Sequence, residues 1–152
     1  MQPTEFLSAE DVRLLTEVGM VGAGARLHTD ALALFEALAV LRPWRDFAWI
    51  GQVAVWLNQG QAEEAVRVLQ QGCQCVAQAP DVHQRAHPTD LTLLTAFLGF
   101  ALHMARRTAE SRQTMSTVLT MPCHPHAYAM AQDMLGLKTP NTLLTSIQEP
   151  LT

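Results

Sequence analysis

Charge is scarce in this chain. Of its 152 residues only 16% are Asp, Glu, Lys or Arg, and Lys138 is the single lysine. Ten cations stand against 14 acids, a formal net charge of −4, and the cations are scattered. That balance excludes a general attraction to nucleic-acid phosphates. A disordered tail is excluded too, because 49% of the residues are apolar. Cysteine is equally sparse. Cys73, Cys75 and Cys123 are an odd number with no spacing of a secreted disulfide framework. Cys73 and Cys75 are too close to bridge one another on a helix, so reduced thiols in a reducing compartment are expected.

Long hydrophobic runs are missing as well. Residues 31–41 are apolar except for Glu36, and residues 91–105 except for two Thr and His103. Both fall short of the roughly 18–20 residues a spanning helix needs, so no membrane insertion is expected. The opening MQPTEFLSAEDV has neither the basic start nor the apolar core of a secretory signal, which predicts a cytoplasmic protein. No stretch alternates apolar and polar residues long enough to predict a strand.

What remains is helix periodicity over a length that suits one domain, residues 1–152. Ser8, followed by Glu10 and Asp11, predicts a first helix running to Gly22–Gly24. A second runs from about Thr29 to Leu41, ahead of Pro43. A third runs from Asp46 to Asn58, and a fourth from Gln61 to Gln78, separated by Gly60. Residues 79–90 carry two Pro and predict the longest loop. A fifth helix follows from Thr89-Asp90 to Arg106, and a sixth from Thr108 to before Pro122. Pro125 starts a seventh that Gly136 ends, and Thr139-Pro140 suggests a short eighth turn near 140–147.

Helices of this length joined by short turns predict antiparallel pairs, and the pairs repeat. A tetratricopeptide unit wants an apolar residue or Trp, then Leu-Gly and an aromatic on its first helix. Its second helix wants Ala followed one turn later by Phe, then a terminal Pro. Leu15, Val18-Gly19, Ala31, Phe35 and Pro43 satisfy the first unit. A shift of 34 residues brings Trp49, Val53, Trp56, Ala65 and Leu69 into the same relation. A looser third unit holds Leu98-Gly99, Leu102, Ser111, Met115 and Pro122, about 12 residues late because of the loop at 79–90. The predicted fold is therefore all-α, a short tetratricopeptide-like superhelix of pairs at about 12–43, 46–79 and 90–122. A C-terminal helix at 125–136 completes it. Leu15, Val18, Ala31, Phe35, Leu38, Trp49, Val53, Trp56, Ala65, Leu69, Leu94, Phe97 and Leu98 are its predicted core.

The stretch from His28 to Gly72, HTDALALFEALAVLRPWRDFAWIGQVAVWLNQGQAEEAVRVLQQG, resembles small tetratricopeptide-like proteins of bacterial type III secretion systems. It carries an alanine-rich helix ending in Leu41-Arg42-Pro43, a helix bearing Trp49, and a Gly turn followed by Glu-Glu-Ala. The Hrp-group accessory proteins and the needle-subunit chaperones have this character. The resemblance implies a protein-binding chaperone or accessory protein whose partner is a helical secretion component. In the needle chaperones the bound element is an amphipathic helix in the concave groove. The Hrp relatives imply a periplasmic location instead of a cytoplasmic one.

Nothing in the sequence suggests catalysis. There is no Gly-x-Ser-x-Gly elbow, and 22-GAGAR-26 lacks the Lys and Ser/Thr of a phosphate loop. Cys123-His124-Pro125-His126 is too small a donor set for structural zinc, and His83 with His87 lies among prolines. No enzyme, metal or cofactor is expected. A partner groove is. Residues 31–41 and 91–105 are apolar nearly all round, more than the roughly 100° stripe a core-facing helix needs. They are either central helices or helices that also line a groove. Met104, Met115, Met121, Met130 and Met134 suit an adaptable surface or a core gap equally. If the first helix of each pair lines the concave side, then Trp49, Gln52, Trp56, Leu91, Thr95, Leu98 and Leu102 are the expected partner-binding residues. The alternative is a structural homo-oligomer, such as a homodimer, with no dedicated groove.

Overall fold

The computed structural model describes residues 7–79 and 87–137, and these hold seven α-helices and no strand. In chain order they are α1 (Ala9–Gly24), α2 (His28–Leu41), α3 (Phe47–Asn58), α4 (Ala62–Ala77), α5 (Asp90–Met104), α6 (Thr108–Val118) and α7 (Pro125–Leu135). The expected helices are all present, with α5 and α6 stopping a little earlier than predicted. The expected turn at 140–147 lies outside the described residues.

Local chemistry explains the ends. Ser8 caps α1 by a reciprocal box: its hydroxyl accepts from the Asp11 amide at 3.1 Å, and the Asp11 carboxylate accepts from the Ser8 amide at 2.9 Å. The Ser8 hydroxyl also donates to the Asp11 carboxylate at 2.7 Å, and this bond, with that of the Ser8 amide, holds the Asp11 pKa below its ordinary value. Each helix pair then closes by the same turn. Residues 26, 60 and 106 take left-handed φ values of 64°, 73° and 63°. The next amide reaches back five residues, Leu27 to Gly22, Gln61 to Trp56 and Arg107 to Leu102, each at 2.9 Å. The first two turns are 34 residues apart and the third follows 46 later, the period and the late third unit read from the sequence. Gly60 fits this conformation; Arg26 and Arg106 do not, since a Cβ makes it costly. Arg106→Gly is therefore expected to raise or leave unchanged the unfolding free energy, whereas Gly60→Ala should lower it by about 1 kcal/mol. A chemical denaturation series on the two variants checks this, and equal losses for both would contradict it.

Packing shows which row of helices faces inward. α1, α3, α5 and α7 touch in succession, while α2, α4 and α6 pack only between their odd-numbered neighbours and make no comparable contact with each other. Helices on the inner side of a curved stack approach closely and those outside splay, so the odd row is concave. Gly and Ala admit the large side chains that fill the stack. Phe35 is fully buried with its ring against Gly19 of α1 and Gly51 of α3. The Trp49 indole lies over Gly72 of α4 and donates to the Pro43 carbonyl at 3.0 Å. Met115 of α6 lies on Gly99, whose carbonyl accepts from the buried Ser111 hydroxyl at 2.7 Å.

Most of the expected core is buried, with one reversal. Ala31, Phe35, Leu38, Trp49, Val53, Ala65, Leu69 and Leu94 are buried, and Leu15, Trp56, Phe97 and Leu98 are half-buried. Val18 is 54% exposed. Among the described residues no helix covers that side of α1, so a residue at a core position of the repeat faces outward.

Candidate partner-binding groove

Each odd helix spends one face on the even helices, and what remains forms the concave wall. On α3, Trp49, Gln52 and Trp56 are used against α2 and α4. The opposite face carries Phe47, Ile50, Ala54 and Leu57, at i, i+3, i+7 and i+10, all half-buried. On α5, the Thr95 hydroxyl donates to the Leu91 carbonyl at 2.7 Å on the side of Cys73 of α4, and Gly99 receives α6. That leaves Leu93, Phe97, Phe100 and Met104 at i, i+4, i+7 and i+11. The first three are half-buried and Met104 is 53% exposed. Phe97 packs on the core of the first two pairs, and Leu93 and Phe100 on the core of the third. Met20 of α1 and Met130 and Met134 of α7 flank this wall by helical position. Thioethers let such a surface repack around different shapes.

The mouth of the groove, where α1 and α3 begin, opens into a cavity of about 350 Å³ lined by Val12, Thr16 and Phe47 with Arg13, Arg42 and Arg45. The cations there are already engaged. Arg13 pairs with Glu17 at 3.2 Å, Arg42 donates to the Leu7 carbonyl at 3.0 Å, and Arg45 pairs with Asp90 at 3.1 Å. The groove thus offers apolar contact without a strong field of one sign.

Asp90 is the electrostatic oddity, a buried carboxylate at the start of α5. Desolvation and the neighbouring Asp46 push its pKa above 3.8, against the pull of Arg45 and the His87 amide. The folded chain therefore keeps this proton to higher pH than the unfolded chain. Its contribution to stability is greatest below the ordinary Asp pKa and declines as pH rises through the raised one. Asp11 and Glu110, whose values are lowered, act in the opposite direction. Comparing unfolding free energies of the parent and Asp90→Asn across acid pH should isolate a falling component that the variant lacks. A rising component would reverse the assignment.

The expected binding residues do not assemble into one surface. Trp49 and Gln52 are 5% and 6% exposed, and they floor a cleft of about 360 Å³ on the convex side with Ala39, Val40, Val68 and Cys75. Leu102 is buried. Trp56, Leu91, Thr95 and Leu98 are half-buried against the core side. The reason is geometric. The residues that carry a tetratricopeptide signature are those that pack helix on helix, so they turn away from the groove. The half-exposed residues between them, Ile50, Leu57, Phe97 and Phe100, are the ones that line it. Their spacing was visible in the sequence, but the side of the helix was not.

Cys123, His124 and His126 sit together at the start of α7. Cys123 is exposed, and His124 caps α7 by accepting from the Ala127 amide at 3.4 Å, with the His126 ring 5.7 Å away. Among the described residues no group of three His, Cys, Asp or Glu is placed to hold a metal. His83 lies outside the described residues, and His87 bonds Thr89 at 2.6 Å. Cys73 is half-buried, and burial pushes its thiol up to about 11. Alkylation at mildly alkaline pH should modify Cys123 quickly and Cys73 only on unfolding. Equal rates by peptide mapping would contradict the packing of α4 on α5.

The fold defines an all-helical stack of antiparallel pairs in a tetratricopeptide-like arrangement. Comparison with family models, with curated proteins and with solved structures finds no match to this chain. Within the described residues no helix is long and apolar enough to cross a membrane.

Proposed function

We propose that this protein is a non-enzymatic binding module that holds an amphipathic helix of another protein in its concave groove. The observation that carries the reading is the apolar row of half-buried Ile50, Leu57, Phe97 and Phe100, with exposed Met104, on the faces of α3 and α5 turned away from the even helices. Such a wall accepts a helix by anchors at i, i+3/i+4 and i+7. Its engaged cations make charge a minor part of recognition.

The resemblance of His28–Gly72 to type III secretion chaperones and accessory proteins favours a helical component of that apparatus as the partner. Its place of action is then the cytoplasm, or the periplasm if it follows the Hrp group. The competing reading, a structural homo-oligomer without a partner groove, leaves the concave wall unused. Co-purification from the native cell separates them. Met104→Arg, at an exposed position, should leave the helical spectrum unchanged and abolish capture of the partner. Gln52→Arg is unsuited to this test, because it would bury an unpaired charge and disturb the fold. Unchanged capture by a folded Met104→Arg variant would remove the groove from the account.

A further inference from the structure

The cleft on the convex side holds a polar side chain that the fold does not use. Gln52 is the one hydrophilic residue from Phe47 to Leu57 on α3, and it is 6% exposed. Its amide nevertheless makes no hydrogen bond among the described residues. The little exposure it keeps opens into the cleft of about 360 Å³ between α2 and α4. An amide taken out of water without a partner lowers stability, and native structures seldom leave one so. A position that served packing alone would be better filled by Met or Leu.

Two opposite charges flank that amide. Phe35 meets Gly51 and Trp49 meets Gly72, so antiparallel packing sets Gln52 within a turn of Glu36 on α2 and of Arg67 on α4. Both charged side chains line the cleft, and they do not pair with each other. Glu36 has no ion pair among the described residues, and Arg67 gives only its Nε to Glu64, at 3.0 Å, which leaves its two terminal nitrogens. Ala39, Val40 and Trp49 lie one turn away along the same helices and, with Val68, supply an apolar floor. We infer that this cleft binds a free α-amino acid with an apolar side chain. Glu36 takes its ammonium group, Arg67 and the Gln52 amide N–H take its carboxylate, and its side chain lies on Trp49, Val40 and Val68. The cleft has the size of a small-molecule site, with a few polar groups converging over an apolar lining. The end of a polypeptide carries only one of the two charges, so the free amino acid is the ligand that engages all three polar groups. The cleft lies away from the concave wall, and the inference stands or falls independently of the proposed partner.

Titration of the isotope-labelled full chain with leucine, followed by nuclear magnetic resonance, tests it. The expected result is a saturable shift of the Gln52 amide and Trp49 indole signals, with a Kd of about 1 mM. Acetyl-leucine lacks the ammonium group and leucine amide lacks the carboxylate, so each should bind about tenfold more weakly. Glu36→Gln and Arg67→Gln, both at exposed positions, should each weaken leucine by about fivefold. Gln52→Met should bind leucine at least about tenfold more weakly, with Tm unchanged or raised, because the free protein then buries no unpaired amide. A lower Tm for Gln52→Met overturns the inference, since the amide would then serve the fold. No saturable shift overturns it as well. Equal binding of leucine and its two blocked forms means adventitious contact of the apolar side chain only, and overturns it too.

Discussion

Replacing Phe35 with Ala is expected to cost about 3–5 kcal/mol, the range for a buried Phe truncated to Ala. Its ring is fully buried where α1, α2 and α3 meet, so the cavity has no solvent side from which to collapse. The two glycines that receive the ring make the prediction sharper. A Cβ at Gly19 would lie 2.6 Å from the ring, and at Gly51 closer still, so neither position accepts Ala while Phe35 is present. Gly51→Ala alone should cost about 1–3 kcal/mol through overpacking. In the Phe35→Ala background the added methyl fills part of the cavity, so the double variant should be more stable than the sum of the single losses by more than 1 kcal/mol. Additive losses in denaturant unfolding would show that the ring does not lie on Gly51.

Trp49→Ala carries the second large effect. The indole is 5% exposed, covers Gly72 and donates to the Pro43 carbonyl at 3.0 Å, tying α3 to α4 and to the turn that ends the first pair. Its truncation should cost about 3–5 kcal/mol, a fall of roughly 10 °C in Tm for a chain of this size. A surface anchor behaves otherwise: it leaves Tm unchanged and reduces capture alone. A Trp49→Ala protein of unaltered Tm would return Trp49 to the binding surface.

These two residues also show how much of the molecule was legible in the sequence. Helix number and boundaries follow from local signals, namely Ser8 before its acids, Pro43, Pro125 and Gly136, and these act whatever the tertiary setting. The repeat was legible because Gly19, Ala31, Phe35 and Ala65 are needed wherever two helices approach closely. The third closing turn was harder to see, since Arg106 occupies a left-handed position where glycine is the usual signal. The candidate site was not legible in its residues. Trp49 and Gln52 belong to the helix-packing face, and side-chain size alone does not say whether a Trp fills a core or waits for a partner. Val18 failed for the opposite reason. Its spacing is that of a core position, but burial there depends on a neighbour beyond α1, which is a property of position in the stack and not of the residue.

The central claim is that a partner helix lies on the concave side. It is tested most directly by placing a photo-crosslinking residue at Met104 or at Val40 in the native cell. Both side chains are exposed, 53% and 80%, one on the concave wall and one on the outer row. The account predicts a single protein adduct from position 104 that Phe100→Arg removes, and none from position 40. An adduct from position 40 with none from 104 would contradict it.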